Sequence, residues 1–251
     1  MARLPRLSAP GHLHLTIQQV HQRQPVFADA TDRRAYLDCL AEAAAQHNVA
    51  IHGYGIAPDQ VRLLATPGQA RALGQMVQFI GRRFVAALNR RHGRRGALWD
   101  GRFRATVIEP LPYFLPCLRF VESVASSAVA HHVRGPASAP PSGLDEAAGD
   151  AVPWSSAEHH AGRRSDAFVT EHACYWALGN TPFEREAAYR SAMQRVTTEA
   201  EVRGIALASL HGWVLGSPEF ERLLSTQLAR RLRPLSAGRP AAVSQADKSE
   251  G

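Results

Sequence analysis

Residues 49–65 read VAIHGYGIAPDQVRLLA, and they decide how the first half of the chain is organised. VAIHGYGI (49–56) alternates between side-chain types, Pro58-Asp59 supplies a turn, and QVRLLA alternates again, which is the pattern of a β-hairpin. On the returning strand Gln60 and Arg62 fall on the same face, because successive residues of a strand point to opposite sides. A glutamine and an arginine together on a half-buried strand are unusual enough to need an explanation.

Outward from the hairpin, the pattern is strand, helix, strand, strand, helix, strand, helix. HLHLTIQQ (12–19) alternates as a strand, and residues 31–47 carry Tyr36, Leu37, Leu40 and Ala44 at helical spacing, with Thr31 as the expected N-cap. A long amphipathic helix is expected from Gln69 to about Arg91, with Leu73, Met76, Val77, Ile80, Phe84 and Leu88 on its apolar side. RFRATVIE (102–109) reads as a strand, and residues 113–133 read as a helix entered over Pro112. The first six elements give the split βαβ pattern, so the expected class is α+β, a ferredoxin-like sheet with helices on one face. The expected organisation is a domain over 1–133, a Pro/Gly/Ser/Ala-rich linker or long loop at 134–152, a helical region at 153–233 and a disordered tail at 234–251. Ser217, Pro218 and Glu221 mark the start of one C-terminal helix.

The 251 residues carry a net charge of +7 at a pI near 10.0, which favours an anionic partner, nucleic acid before a membrane surface. Cys39, Cys117 and Cys174 are far apart and fit neither a disulfide framework nor a zinc site. The N-terminus lacks the apolar stretch of a signal peptide and no 18-residue apolar run occurs, so a soluble cytoplasmic protein without membrane association is expected.

The positive charge is concentrated in RRFVAALNRRHGRRGALWDGRFR (82–104), which holds Arg82, Arg83, Arg90, Arg91, Arg94, Arg95, Arg102 and Arg104. Trp99 and Phe103 lie among them, and Asp100 is the one acid in the segment. Guanidinium groups hold phosphates bidentately, and an aromatic ring offers an unpaired base a stacking face. The bland alternative is a solvated helix end followed by a loop. The other pairs that draw the eye, His131-His132 and His159-His160, supply no third metal ligand nearby and read as surface residues. Trp154, Trp176 and Trp213 read as core or docking residues, and Arg230, Arg231 and Arg233 as a lesser basic patch.

Five segments occur together in a known order: residues 23–56, 82–106, PWSSAEHHA (153–161), YWALGNTPFEREAAYR (175–190) and HGWVLGSPEFERLLSTQLARRLRP (211–234). In these the chain resembles the REP-associated tyrosine transposases, relatives of the IS200/IS605-type insertion-sequence transposases, from about Arg3 to Pro234. The resemblance implies a transposase domain that acts on single-stranded or hairpin DNA. In that family two histidines flanking a hydrophobic residue (the HUH motif) hold Mg²⁺ or Mn²⁺, and a tyrosine on the following helix attacks the scissile phosphate.

QVRLLA matches the HUH strand and LRFVESVASSAVA matches the tyrosine helix, so the resemblance puts Gln60 and Arg62 at the histidine positions and Phe120 at the nucleophile. Arg62 has no acceptor for a metal, and Phe120 has no hydroxyl. The implied protein therefore binds DNA without nicking it and uses no metal cofactor. Its expected DNA-binding residues are Arg62, as a phosphate clamp in the vacated site, with Trp99 and the arginines of 82–104. A relocated site would use His12-Leu13-His14 for metal and Tyr113 for attack, while Glu122 matches a family glutamate that carries no reaction alone. Alternatives to a DNA-binding protein are an active nickase with a rebuilt site, a genomic remnant, or a regulatory partner that forms a homodimer or a heterodimer with active relatives.

Overall fold

The computed structural model describes residues 7–23, 25–125, 154–195, 198–228 and 231–233. The expected linker at 134–152, the tail after 234, His131-His132 and Arg230 lie outside these residues.

Four strands, β1 (Leu13–Gln19), β2 (Val49–Ala57), β3 (Gln60–Pro67) and β4 (Arg104–Ile108), form one antiparallel sheet in the order β2-β3-β1-β4. With α1 (Ala30–Gln46) between β1 and β2 and α2 (Ala72–Arg91) between β3 and β4, this is the ferredoxin-like arrangement. Both helices cover the same face, where Tyr36 and Leu40 of α1 and Ile80, Phe84 and Leu88 of α2 pack on Tyr54, Val61, Leu63 and Ala105. Tyr36, Phe27 and Phe84 pack their rings within 6 Å of one another.

α1 and α2 share one face, as the split βαβ pattern of the first six elements implies, and the seventh element takes the other. The opposite face presents Leu13, Leu15, Ile17, Leu64 and Ile108, an apolar surface too large to leave wet. α3 (Pro110–Glu122) covers it, with Phe114, Cys117, Leu118, Phe120 and Val121 turned inward. α3 comes close because β2 carries glycine there. A Cβ on Gly53 would collide with Leu118, and one on Gly55 with the Val121 carbonyl.

α3 ends earlier than expected, at Glu122, and passes into a 3₁₀ turn at Ser123–Ala125. The Ser123 hydroxyl donates to the Phe120 carbonyl at 3.3 Å, the local serine bonding that competes with helix continuation. α1 starts at Ala30 with Asp29, not Thr31, as its N-cap, because the Asp29 carboxylate accepts from the Asp32 amide. α2 begins at Ala72 rather than Gln69 and has no side-chain cap.

The C-terminal region holds α4 (Ala157–His160), α5 (Ala173–Trp176), α6 (Pro182–Gln194), α7 (Glu199–His211) and α8 (Pro218–Gln227). α6 and α7 start in full capping boxes, Thr181 with Glu184 and Thr198 with Glu201. Ser217 caps α8, with Pro218 in its first turn, while Glu221 pairs with Arg233 instead of closing a box. This region packs on the same core as α3, through Tyr175, Tyr189 and Ile205. It also bridges to the sheet at Ile51–Val169, Gly55–Ser155 and Ile108–Leu215.

Candidate functional site

Gln60, Arg62 and Phe120, which the resemblance drew from two separate segments, meet under α3. Alternation on β3 turns Gln60 and Arg62 toward the α3 face, where Arg62 pairs across the strands with Ile17 and Gly55. Arg62 Nε donates to Gln60 Oε1 at 3.2 Å and Nη1 to the Phe120 carbonyl at 2.7 Å. The guanidinium lies over the Phe120 ring, 3.9 Å from its centroid. A cation donating to a last-turn carbonyl also complements the negative end of α3.

This geometry corrects one expectation. Arg62 is 0% exposed, so its guanidinium holds α3 to the sheet and is not placed to grip a DNA phosphate. Neither Gln60 nor Arg62 presents a free acceptor. The Gln60 oxygen is engaged by Arg62, its Nε2 is a donor with no partner among the described residues, and arginine offers no lone pair. No group of three or more His, Cys, Asp or Glu converges anywhere among the described residues.

His12 and His14 do not form a metal pair. His14 is buried on the other face, its Nδ1–H donating to the His12 carbonyl and its Nε2 accepting from the Ala9 amide. Burial drops its pKa to about 4. His12 turns instead to Gln227 at 3.1 Å and the edge of Phe220. Tyr113 is half-buried and lines a space with Arg119 and residues of α7.

Glu122 anchors a buried network that sequence reasoning missed. At 6% exposure it accepts from Ser156 Oγ at 2.7 Å, His160 Nδ1 at 2.8 Å and Tyr189 OH at 2.6 Å. Burial and then the Glu122 charge push the Tyr189 phenol well up, so it stays protonated and donates. His160 is 1% exposed, which corrects its reading as a surface residue. The only sequence signal was Glu122 itself, since its partners lie 34–67 positions downstream.

The basic segment divides into two sets. Arg91 pairs with Asp29 at 2.6 Å and with buried Asp32, and Arg83 pairs with Glu42, acids of α1 and its N-cap brought in by the fold. Asp32 also takes the His92 imidazole at 3.0 Å. Burial works against its charge, but the bonds from His92, Arg91 and the Ala28 amide hold its pKa below the usual value. The expectation that opposing acids are scarce here holds for the sequence and fails in space. Arg104 is half-buried and already engaged within the fold. Arg82, Arg90, Arg94, Arg95 and Arg102 are exposed and have no acidic partner among the described residues. Gly93 and Gly96 adopt positive φ of 62° and 92°, turning the chain so that Arg94 and Arg95 project from the loop after α2.

Trp99 is half-buried, its ring 6.3 Å edge-on from Tyr36. Trp154 packs on the α1/α2 core, Trp176 lies 4.0 Å from the Arg185 guanidinium and is half-exposed, and Trp213 meets Arg231. No helix of the described residues is long and apolar enough to cross a membrane.

Neither a family model nor a curated protein matches the chain. Among solved structures it is similar to a REP-associated tyrosine transposase bound to a REP hairpin, with 11% identity and a TM-score of 0.39 over 49% of this chain and 72% of that one. It is also similar to a protein of Deinococcus radiodurans R1 assigned as a transposase, with 20% identity and a TM-score of 0.34 over 45% of this chain and 86% of that one.

Proposed function

We propose that the chain is a DNA-binding relative of the REP-associated tyrosine transposases that grips single-stranded or hairpin DNA without cutting it. The observation that carries the binding half is the set of five exposed arginines, Arg82, Arg90, Arg94, Arg95 and Arg102, free of acidic partners among the described residues. Five guanidinium groups within 21 residues, on the second half of α2 and the loop after it, suit a run of phosphates better than a single small anion. The family relationship is supported by the five matching segments, and the loss of nicking by the chemistry of Gln60, Arg62 and Phe120. With the guanidinium occupied by Phe120, the old catalytic positions act as core.

Salt dependence of binding tests the proposal. For a single strand, log Kd plotted against log salt should have a slope near 0.7 for each phosphate neutralised. Arg94→Ala with Arg95→Ala should weaken all sequences nearly alike and lower that slope by roughly 1–1.5. A double variant that binds like the parent, with the same slope, would leave the segment as a solvated surface only.

A further inference from the structure

A cavity of about 720 Å³ opens between the end of α6, the first half of α7 and the flank of α3 that carries Tyr113, Pro116 and Arg119. That volume lies within the roughly 300–1,000 Å³ of small-ligand pockets. Half-buried Leu115 and Pro116, with Leu215 and the buried Ile205, give it apolar walls. Tyr113 is the one ring among the described lining residues. Gly204 lies in the middle of α7, where glycine is a poor helix former, and a Cβ there would meet nothing within 4 Å. Packing therefore does not demand glycine at 204, and its bare backbone keeps the cavity open.

Two arginines share this lining. Arg119 donates from Nη2 to the Ala192 carbonyl in the last turn of α6, and Arg195 follows that helix as its C-cap. They lie close enough to act on one another: burial, and then the Arg195 charge, hold the Arg119 guanidinium below its ordinary pKa. The one acid among the described lining residues, Glu201, is already committed, since Oε1 takes Arg195 and Oε2 closes the α7 capping box with Thr198. A cationic ligand would therefore be repelled. A fully polar ligand would leave the apolar walls uncovered, and a purely apolar one would bury the arginines without an anion. An anion on an apolar body satisfies both halves. The planar guanidinium fork matches the two oxygens of a carboxylate, and aliphatic walls suit an alkyl chain better than a stacked ring.

We propose that this cavity binds an alkyl carboxylate, its chain along Leu115, Ile205 and Leu215 and its carboxylate between Arg119 and Arg195. An anion there offsets the repulsion of two like charges. It does not require Arg195 to leave Glu201, because a guanidinium has five N–H groups and the bond to Glu201 uses one of them. The site stands apart from the nucleic-acid reading above, for it uses none of the arginines of 82–104 and its test contains no DNA.

Decanoate, 1-decanol and decyltrimethylammonium test it, since they carry one chain on an anionic, a neutral and a cationic head. In calorimetric titration of the full chain, one decanoate should bind, roughly 10- to 100-fold tighter than decanol, as charge-assisted hydrogen bonds imply. Decyltrimethylammonium should bind more weakly than either. Arg195→Gln, at an exposed position, should bring decanoate down toward the decanol affinity and leave decanol itself unchanged. Gly204→Leu fills the cavity from a position where a Cβ has room, and Ala200→Phe fills it from one turn earlier on α7. Both filling variants, with melting curves showing them folded, should lose decanoate and decanol together. Decanoate that does not bind the parent, or binds no tighter than decanol, overturns the proposal. So does binding that survives both fillings, and an Arg195→Gln variant with the parent's decanoate affinity overturns the placement of the carboxylate.

Discussion

Arg62 is held by three contacts at once: Gln60, the last-turn carbonyl of Phe120 and the ring of Phe120. Donation from Nε and Nη1 and the ring over its face offset much of the cost of taking this guanidinium out of water, and removal of the side chain leaves both a void and unpaired acceptors. Arg62→Ala should therefore lower stability by about 2–4 kcal/mol in urea unfolding and leave DNA affinity unchanged where both proteins are folded. Phe120→Leu should cost less, and a double-mutant cycle with Arg62→Ala should give a coupling of about 1–2 kcal/mol for the stacked pair. Additive effects would mean the stacking contributes nothing. Alternation on QVRLLA made the shared face of Gln60 and Arg62 legible. What covers that face was not legible, because closure depends on α3 and on Gly53 and Gly55, whose purpose appears only once the helix lies across them.

α2 and its following loop act as two devices in one segment. The C-terminal turn of α2 is a structural lock, since Arg91 and His92 close over Asp29 and Asp32 at the start of α1. Asp29 serves there both as N-cap and as partner, and Arg91, then the Asp32 amide, hold its carboxyl well below the usual carboxylate range. Asp29→Ala should lower the melting temperature by roughly 2–4 °C, the effect of one lost cap in a chain of this size, with DNA binding intact. Arg94→Ala and Arg95→Ala should do the reverse, weakening DNA and leaving the melt unchanged. A melt that falls equally in both variants would contradict the division. Composition could locate this basic run, but not sort it, because the neutralising acids lie 41–62 positions away in sequence.

Across the whole molecule, buried neutral histidines make the fold sensitive to acid. His52 sits at the β2 bulge, donating from Nδ1 to the Thr170 carbonyl at 2.7 Å and accepting at Nε2 from Thr66, which ties the C-terminal region to the sheet. Burial drops the pKa of both His14 and His52 to about 4, below the ordinary 6.5 of the unfolded chain. The unfolded state therefore binds more protons between those values, so stability is full above about pH 6.5 and falls as pH drops toward 4. The loss should approach about 3 kcal/mol for each imidazole, and His14→Gln should remove its share of the slope. A flat profile between pH 7 and 4 would contradict this. The order of the sheet was legible from strand and helix periodicity, as was the helical character of the second half. Its attachment through Glu122, His160, Tyr189 and His52 was not, since isolated polar residues carry no periodic signal. The proposed protein binds without cleaving, and one incubation tests this: end-labelled single-stranded hairpin DNA with the protein and Mn²⁺, run on a denaturing gel after anisotropy has shown the complex formed. Intact DNA free of protein is the expected result, whereas a shortened strand or a protein–DNA band that survives denaturation would show that the chain still cuts.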